Sequence, residues 1–455
     1  MAEHVQISPD EVHGALAAHV LTDGMKLVLD LQRSRGSRIV DARSGQRYLD
    51  MYTFFASAPL GLNPPGIVDD PAFMAELARA AANKPANPDM YTCAYAEFVA
   101  TFTRVVGDPD LPHLFFIEGG ALAVENALKV AFDWKSRQNE AAGRSPELGS
   151  AIMHLTRAFH GRSGYTMSLT NTEPAKTARF PTFAWPRIDV PAITFPVADH
   201  LAEIEAAEDR AYAQATAAFA ASPHDIAAFI AEPIQGEGGD NHIRGEFFRR
   251  MVELVHDHDA LMIVDEVQTG MGTTGTAWAY QQLGVQPDVV AFSKKAQLGG
   301  VMAGGRVDEV VDNVFAVPGR INSTWGGGLV DMVRARRILE IIETEGLIEA
   351  AATKGRQFLA GLEAIVDAHP GQVSNARGRG LFLALDVPTR AARDRVVEEL
   401  REREHVIALP CGERSIRFRP ALSVSHDEID EAVAAVARTL SRVLPHQHRH
   451  EESTR

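Results

Sequence analysis

Leu261-Met262-Ile263-Val264-Asp265-Glu266-Val267-Gln268-Thr269-Gly270 is the stretch whose reading sets the fold. Its apolar run is short and ends abruptly in two carboxylates, the pattern of a strand buried on both faces. Such a strand belongs to a parallel sheet, and open α/β folds bind their ligands at the carboxyl ends of those strands. Asp265 therefore stands at a ligand-binding edge. A carboxylate in a dry site stays ionised only beside a cation or several hydrogen-bond donors, so Asp265 calls for a positive group facing it. On these residues alone, a magnesium ligand of a nucleotide site and a helix N-cap are equally open.

Downstream, Pro287-Asp288-Val289-Val290-Ala291-Phe292-Ser293-Lys294-Lys295 is another apolar strand, ending in lysines and followed by Gly299-Gly300. A desolvated lysine at a strand end has a lowered pKa and offers a neutral amine for Schiff-base chemistry; a solvated pair is the alternative. Upstream, Phe116-Ile117-Glu118-Gly119-Gly120-Ala121-Leu122 runs from strand through a small-residue turn into a helix, whose first N–H groups can hold a phosphate. It lacks the lysine of a Walker P-loop.

The same alternation extends outward. Strands are expected at His113 to Ile117, Ala151 to Leu155, Ile226 to Ala231, Leu261 to Val264, Val289 to Phe292 and Val301 to Gly304. Helices are expected at Ala121 to Trp134, Leu201 to Ala220 and Gly245 to His256. This predicts an α/β domain over residues 65–328 with a mostly parallel central sheet covered on both faces. After Gly326-Gly327-Gly328 come long helices, Leu329 to Thr344 and Leu347 to Ala368, then strand-like segments at Gly380 to Val387, Val406 to Leu409 and Ser415 to Phe418. A last helix opens on the capping box Ser425-His426-Asp427-Glu428 and carries Ile429, Val433, Val436, Leu440 and Val443 at helical spacing. Residues 329–444 thus read as a smaller α+β domain, residues 1–64 as a segment packing with it, and the His-rich, charged 445–455 as a solvated, disordered tail.

Composition narrows the function. The 455 residues hold 45 Lys+Arg against 60 Asp+Glu, a formal charge of −15, which speaks against nucleic acid or an anionic membrane as the partner. The two cysteines, Cys93 and Cys411, suit a reducing compartment and make neither a disulfide scaffold nor a zinc cluster; no metal is expected. The start of the chain does not read as a signal peptide, and no apolar run is long enough to span a membrane, so the expected location is cytoplasmic.

Together these pieces resemble the fold-type-I pyridoxal-phosphate enzymes, the aspartate-aminotransferase-like fold, and among them the class III, or omega, aminotransferases. The resemblance runs along nearly the whole chain. Its motifs are Gly119-Gly120-Ala121, Phe159-His160-Gly161-Arg162, Glu232 to Gly239, Asp265 to Gly270, Phe292-Ser293-Lys294, Asn322 to Gly327 and Arg417-Phe418-Arg419-Pro420. It implies a homodimeric enzyme with active sites shared across the interface. The wording of Phe159 to Pro186, Val301 to Val317 and Asn322 to Gly327 is similar to members acting on the ε-amine of L-lysine, with 2-oxoglutarate as acceptor and 2-aminoadipate 6-semialdehyde and L-glutamate as products. The 4-aminobutyrate aminotransferases share the Phe-His-Gly-Arg and Phe-Ser-Lys-Lys wording. 4-Aminobutyrate and ornithine therefore stay open as donors, because one or two methylenes depend on pocket depth. An isomerase or decarboxylase of the same fold, or a silent binding protein, are rival classes, against which Arg417 with Glu237 and the intact Lys294 and Asp265 speak.

The resemblance also implies roles. Lys294 would bond the cofactor and shuttle protons, Asp265 would pair with the pyridine nitrogen, and Phe159 would stack on the ring where many relatives carry tyrosine. Gly120 and Ala121 would give backbone donors to the phosphate, and Gln268 a hydrogen bond to the 3′-oxygen. Thr324 would reach the phosphate of the neighbouring subunit, and Asn322 would touch substrate. Arg417 would bind the α-carboxylate of glutamate or 2-oxoglutarate, and Arg162 the distal carboxylate or the far α-carboxylate of lysine. Glu237 would pair with Arg417 while the amine donor is bound and swing away for the dicarboxylate. Two departures from family wording stand out: Ala121-Leu122 lack side-chain oxygens, and Gly272-Thr273-Thr274-Gly275 lacks a customary arginine.

Overall fold

The central sheet has seven strands: β1 (His113–Ile117), β2 (Ala151–Leu155), β3 (Arg187–Ile188), β4 (Ile226–Ala231), β5 (Leu261–Asp265), β6 (Val289–Phe292) and β7 (Gly299–Ala303). In space they run β1-β7-β6-β5-β4-β2-β3. All are mutually parallel except β7, which is antiparallel to both β6 and β1. The computed structural model describes residues 5–444, so the expected tail at 445–455 lies outside the described residues.

Every residue of β4, β5 and β6 is buried, as their unbroken apolar runs require. Alternate side chains go to opposite faces. Leu261 and Ile263 join Val124, Leu128 and Ala131 of helix α1 (Gly120–Ala141) on one side, while Met262 and Val264 join Phe98, Phe102 and Trp278 on the other. Helix α1 is longer than its apolar spacing indicates. Lys135 and Asn139 look like exits from the core, yet both are fully buried because backbone carbonyls receive them: Lys135 Nζ donates to Asp259 O at 2.6 Å, and Asn139 Nδ2 to His224 O at 3.1 Å.

Strand β7 begins at Gly299, two residues before the strand expected from Val301. Both glycines sit inside the strand because neighbours press on them. A Cβ at 300 would stand 2.3 Å from the Phe292 ring, and one at 299 would stand 2.4 Å from Gly119 O.

Toward the carboxyl end, Ser374–Arg379, Phe382–Asp386, Ser415–Phe418 and Leu409–Cys411 form an antiparallel sheet in that spatial order. The segment expected as one strand at Val406 to Leu409 is two. Val406–Ile407 pairs with Arg47–Asp50 in a separate three-stranded sheet, and the chain then turns so that Leu409–Cys411 pairs with Ser415–Phe418. Helix α2 (His426–Val443) has the expected capping box: Ser425 Oγ accepts the Glu428 N–H at 3.1 Å, and Glu428 Oε2 accepts the Ser425 N–H at 3.0 Å. Ser425→Ala is expected to lower stability by about 1 kcal/mol, read as a shifted denaturant midpoint with unchanged slope. Among the described residues no helix is long and apolar enough to cross a membrane.

Candidate active site

Ala291 of β6 lies opposite Asp265 of β5, so the carboxyl ends of these parallel neighbours open on one edge of the sheet. Asp265 ends β5, and Lys294 follows the end of β6. Asp265 is buried, and its charge has the partners the sequence demands: Oδ2 accepts Nδ1–H of His160 at 2.7 Å, and Oδ1 accepts the Val267 N–H at 2.9 Å. Burial opposes the His160 imidazolium. The hydrogen bond to Asp265 and that residue's charge, helped by Glu232, outweigh it and hold the His160 pKa above its ordinary value. Glu232 is buried beside this pair and accepts the N–H groups of Phe159 at 2.9 Å and Gly236 at 3.3 Å. Burial pushes its pKa up to about 7; the charge of His160 pulls it down and that of Asp265 pushes it up.

The adjacent lysines have different fates. Lys295 is buried and tied, its Nζ donating to Gln268 O at 2.8 Å. Lys294 has no hydrogen-bond partner for Nζ among the described residues. Its backbone is held at φ +54°, a left-handed conformation that costs a non-glycine residue about 1–3 kcal/mol and gathers at functional sites. Burial, reinforced by the charge of Arg417, brings its pKa down to about 8, with Asp265 pulling the other way. Lys294 is thus the uncommitted amine of the edge, electrostatically coupled to Asp265.

Helix α1 starts at the same edge. Its N-cap, Gly119 at φ +87°, offers no side chain, and since the first intrahelical bond is Ala123 N–H to Gly119 O, the N–H groups of the first turn stay free. Bare backbone is required here: a Cβ at 120 would lie 2.8 Å from Val267 Cγ1, and one at 161 would lie 2.7 Å from Ala121 Cβ. The missing oxygen at 121 therefore goes with a close approach of the Phe159–Arg162 turn. Gln268 Oε1 accepts from Arg419 Nε at 3.3 Å and Nη2 at 3.2 Å, which leaves the amide NH2 as the uncommitted group, a donor. Arg419 itself is fixed by Asp240 and by the ring of Phe382, 3.2 Å from the guanidinium.

Arg417 is only 3% exposed, and its Nη2 donates to Glu237 Oε2 at 2.8 Å. Its Nε and Nη1 are buried without partners among the described residues, a guanidinium with spare donors. Glu237 is held from a second side by Lys176, Nζ to Oε1 at 2.6 Å. Burial would raise the Glu237 pKa, but Arg417 and Lys176 overcome it and bring it down to about 2.

Lys294, Asp265, Gln268, Arg417 and Glu237 are thus gathered by contacts or mutual charge, and Phe159 joins through its N–H bond to Glu232. Arg162, Asn322 and Thr324 are exposed. Thr324 lies along a surface groove with Glu118 and Leu122, and among the described residues no hydrogen bond or ion pair links Arg162, Asn322 or Thr324 to Lys294. His160, Glu232, Lys176 and Arg419 were not assigned roles from sequence. His160, Glu232 and Arg419 lie inside the family motifs, which mark their positions but carry no signal of their partners.

These residues fit pyridoxal phosphate. The uncommitted amine would suit an aldehyde, the buried carboxylate backed by an imidazole a ring nitrogen, the free N–H groups at the helix start a phosphate, and the amide NH2 a ring oxygen. With a strand-end lysine and a buried aspartate on adjacent parallel strands, the fold and site define a fold-type-I pyridoxal-phosphate transferase. The chain belongs to the aminotransferase class-III family, whose model matches residues 21–440. It is 61% identical over 433 residues to the L-lysine-epsilon aminotransferase of Mycobacterium bovis, covering 95% of this chain and 96% of the relative. The solved lysine aminotransferase of M. tuberculosis in the internal aldimine form is 60% identical, with a TM-score of 0.94, over 96% of this chain and 100% of that one. The 4-aminobutyrate aminotransferase of Schizosaccharomyces pombe is 32% identical over 88% of this chain and 86% of the relative.

Proposed function

We propose that this aminotransferase moves the ε-amino group of L-lysine to 2-oxoglutarate, giving 2-aminoadipate 6-semialdehyde and L-glutamate in two alternating half-reactions. The observation that carries the reading is the Glu237–Arg417 pair, 2.8 Å long and standing beside an uncommitted lysine. One site must accept a donor that brings no carboxylate to Arg417 and an acceptor that does. An unpaired buried guanidinium is costly, so an enzyme with this duty needs an anion of its own to cover the arginine in the first half-reaction. The identity to named lysine aminotransferases, about twice that to the 4-aminobutyrate enzyme, supports lysine as the donor.

Bound pyridoxal phosphate supplies an aldehyde that condenses with amines and a ring that takes up carbanion charge. The chain's residues do the rest. Lys294 would hold the cofactor through its Nζ and, once freed by the substrate amine, would carry the proton at Nζ between substrate carbon and cofactor. Asp265 would hold the ring nitrogen, Phe159 the ring face, Gln268 the 3′-oxygen, and Gly120 and Ala121 the phosphate. Arg162 takes the carboxylate far from the reacting end, and Asn322 touches substrate. Thr324, exposed within one chain, is assigned to the phosphate of a second subunit, which makes the working unit a homodimer. Exposed Tyr91 and Trp325 give that unit apolar surface to bury.

A donor panel with 2-oxoglutarate held as acceptor tests the assignment. Glutamate should form from lysine at least tenfold faster than from ornithine or 4-aminobutyrate, a ratio that one or two methylenes of pocket fit can supply. Faster formation from 4-aminobutyrate would reverse it.

A further inference from the structure

The carboxylate of Glu237 bridges two cations, and Lys176 has no part in the reaction assigned above. Lys176 belongs to a short turn (Pro174–Lys176), remote in sequence from the strand that carries Arg417. Its ammonium is also placed independently of Glu237: it donates to Thr172 Oγ1 at 3.3 Å and stands 5.3 Å from the centre of the Phe159 ring. The side chain is 17% exposed and that of Glu237 26%, so the charges are partly shielded from water.

Counting charges gives the consequence. With the amine donor bound, Glu237 alone must neutralise Arg417, and it does so whether or not Lys176 is present. When a dicarboxylate takes over Arg417, Glu237 loses that partner and becomes a half-buried anion that needs another. Lys176 is already 2.6 Å away. With it, the acceptor complex has two matched pairs, substrate carboxylate on Arg417 and Glu237 on Lys176. Without it, one carboxylate is stranded beside a second one.

We infer that Lys176 is the parking partner of Glu237, a positioning residue that makes room for the dicarboxylate acceptor and so sets the balance between the two half-reactions. The inference rests on Glu237 acting as the switch over Arg417.

The test measures the dissociation constant of glutarate, a dicarboxylate with no keto group, by calorimetry on the holoenzyme, together with the single-turnover rate with L-lysine. Lys176→Met should weaken glutarate about tenfold, equivalent to about 1.4 kcal/mol, while the lysine half-reaction changes less than about twofold. Lys176→Arg should restore glutarate binding, since it keeps the charge. Glu237→Ala should tighten glutarate and slow the lysine half-reaction, and in that background Lys176→Met should have no further effect on glutarate. Equal losses in both half-reactions, unchanged glutarate binding in Lys176→Met, or a tenfold loss that persists without Glu237 would each overturn the inference. If Glu237→Ala alters neither measurement, the switch itself fails and the inference falls with it.

Discussion

Lys294→Ala is expected to lower turnover by about 10⁴-fold and to abolish borohydride-stable attachment of pyridoxal phosphate to the protein. General acid–base groups contribute about 10²–10⁴-fold, and the upper end applies because the same amine also provides the covalent hold. The prediction separates two neighbours that composition alone cannot. Lys295 is spent on the Gln268 carbonyl, and burial holds its pKa well below the ordinary lysine value, so its amine is engaged whatever its charge. Lys294 is uncommitted, with a pKa near 8. A pH dependence follows from the sign of that shift. Burial and Arg417 disfavour the ammonium, so the reactive neutral amine appears as pH rises through about 8, more than two units below an ordinary lysine. Recapture of pyridoxal phosphate by stripped enzyme should accelerate up to that pH and then level off. A variant at 294 that keeps more than one-hundredth of wild-type turnover, or a recapture rate still climbing at pH 10, contradicts the assignment.

What the sequence revealed and what it hid divide along one physical line. Asp265 and Lys294 were legible because each ends an apolar run, and parallel strands bring such ends to one edge whatever the loops between them do. Helix α1 and its glycine turn were legible for the same local reason. Contacts between distant segments were not. His160 meets Asp265 across 105 residues, and Lys176 meets Glu237 across 61; neither pairing leaves a spacing signal. Buried Lys135 and Asn139 hid the last turns of α1, because a polar side chain satisfied by distant carbonyls looks like a surface one. Gly299 and Gly300 fell outside the expected strand, though their smallness serves strand packing. Thr273, in the stretch that lacks the customary arginine, is buried, and its carbonyl accepts the Leu381 N–H at 2.8 Å; nothing in the structure explains the departure.

Asp265→Asn is expected to lower turnover by about 10³-fold with the fold retained, the scale on which removal of one preorganised charge acts in a dry site. Asparagine keeps the shape and can still accept the Val267 N–H, so the loss reports charge. The effect also spreads to the cluster behind it. Burial alone favours neutral His160, and it is chiefly Asp265 that reverses this. Once the carboxylate is gone, His160 should titrate below its ordinary value, visible as a displaced imidazole resonance in NMR. Glu232, pushed toward 7 partly by its neighbour's negative charge, loses that push together with the positive charge of His160, which had opposed it. His160→Gln should then cost far less than Asp265→Asn, about tenfold, because it removes a support of the carboxylate and leaves the charge. If the two variants lose turnover equally, the imidazole does more than position Asp265, and if Asp265→Asn stays within tenfold of wild type, the ring nitrogen does not depend on this carboxylate.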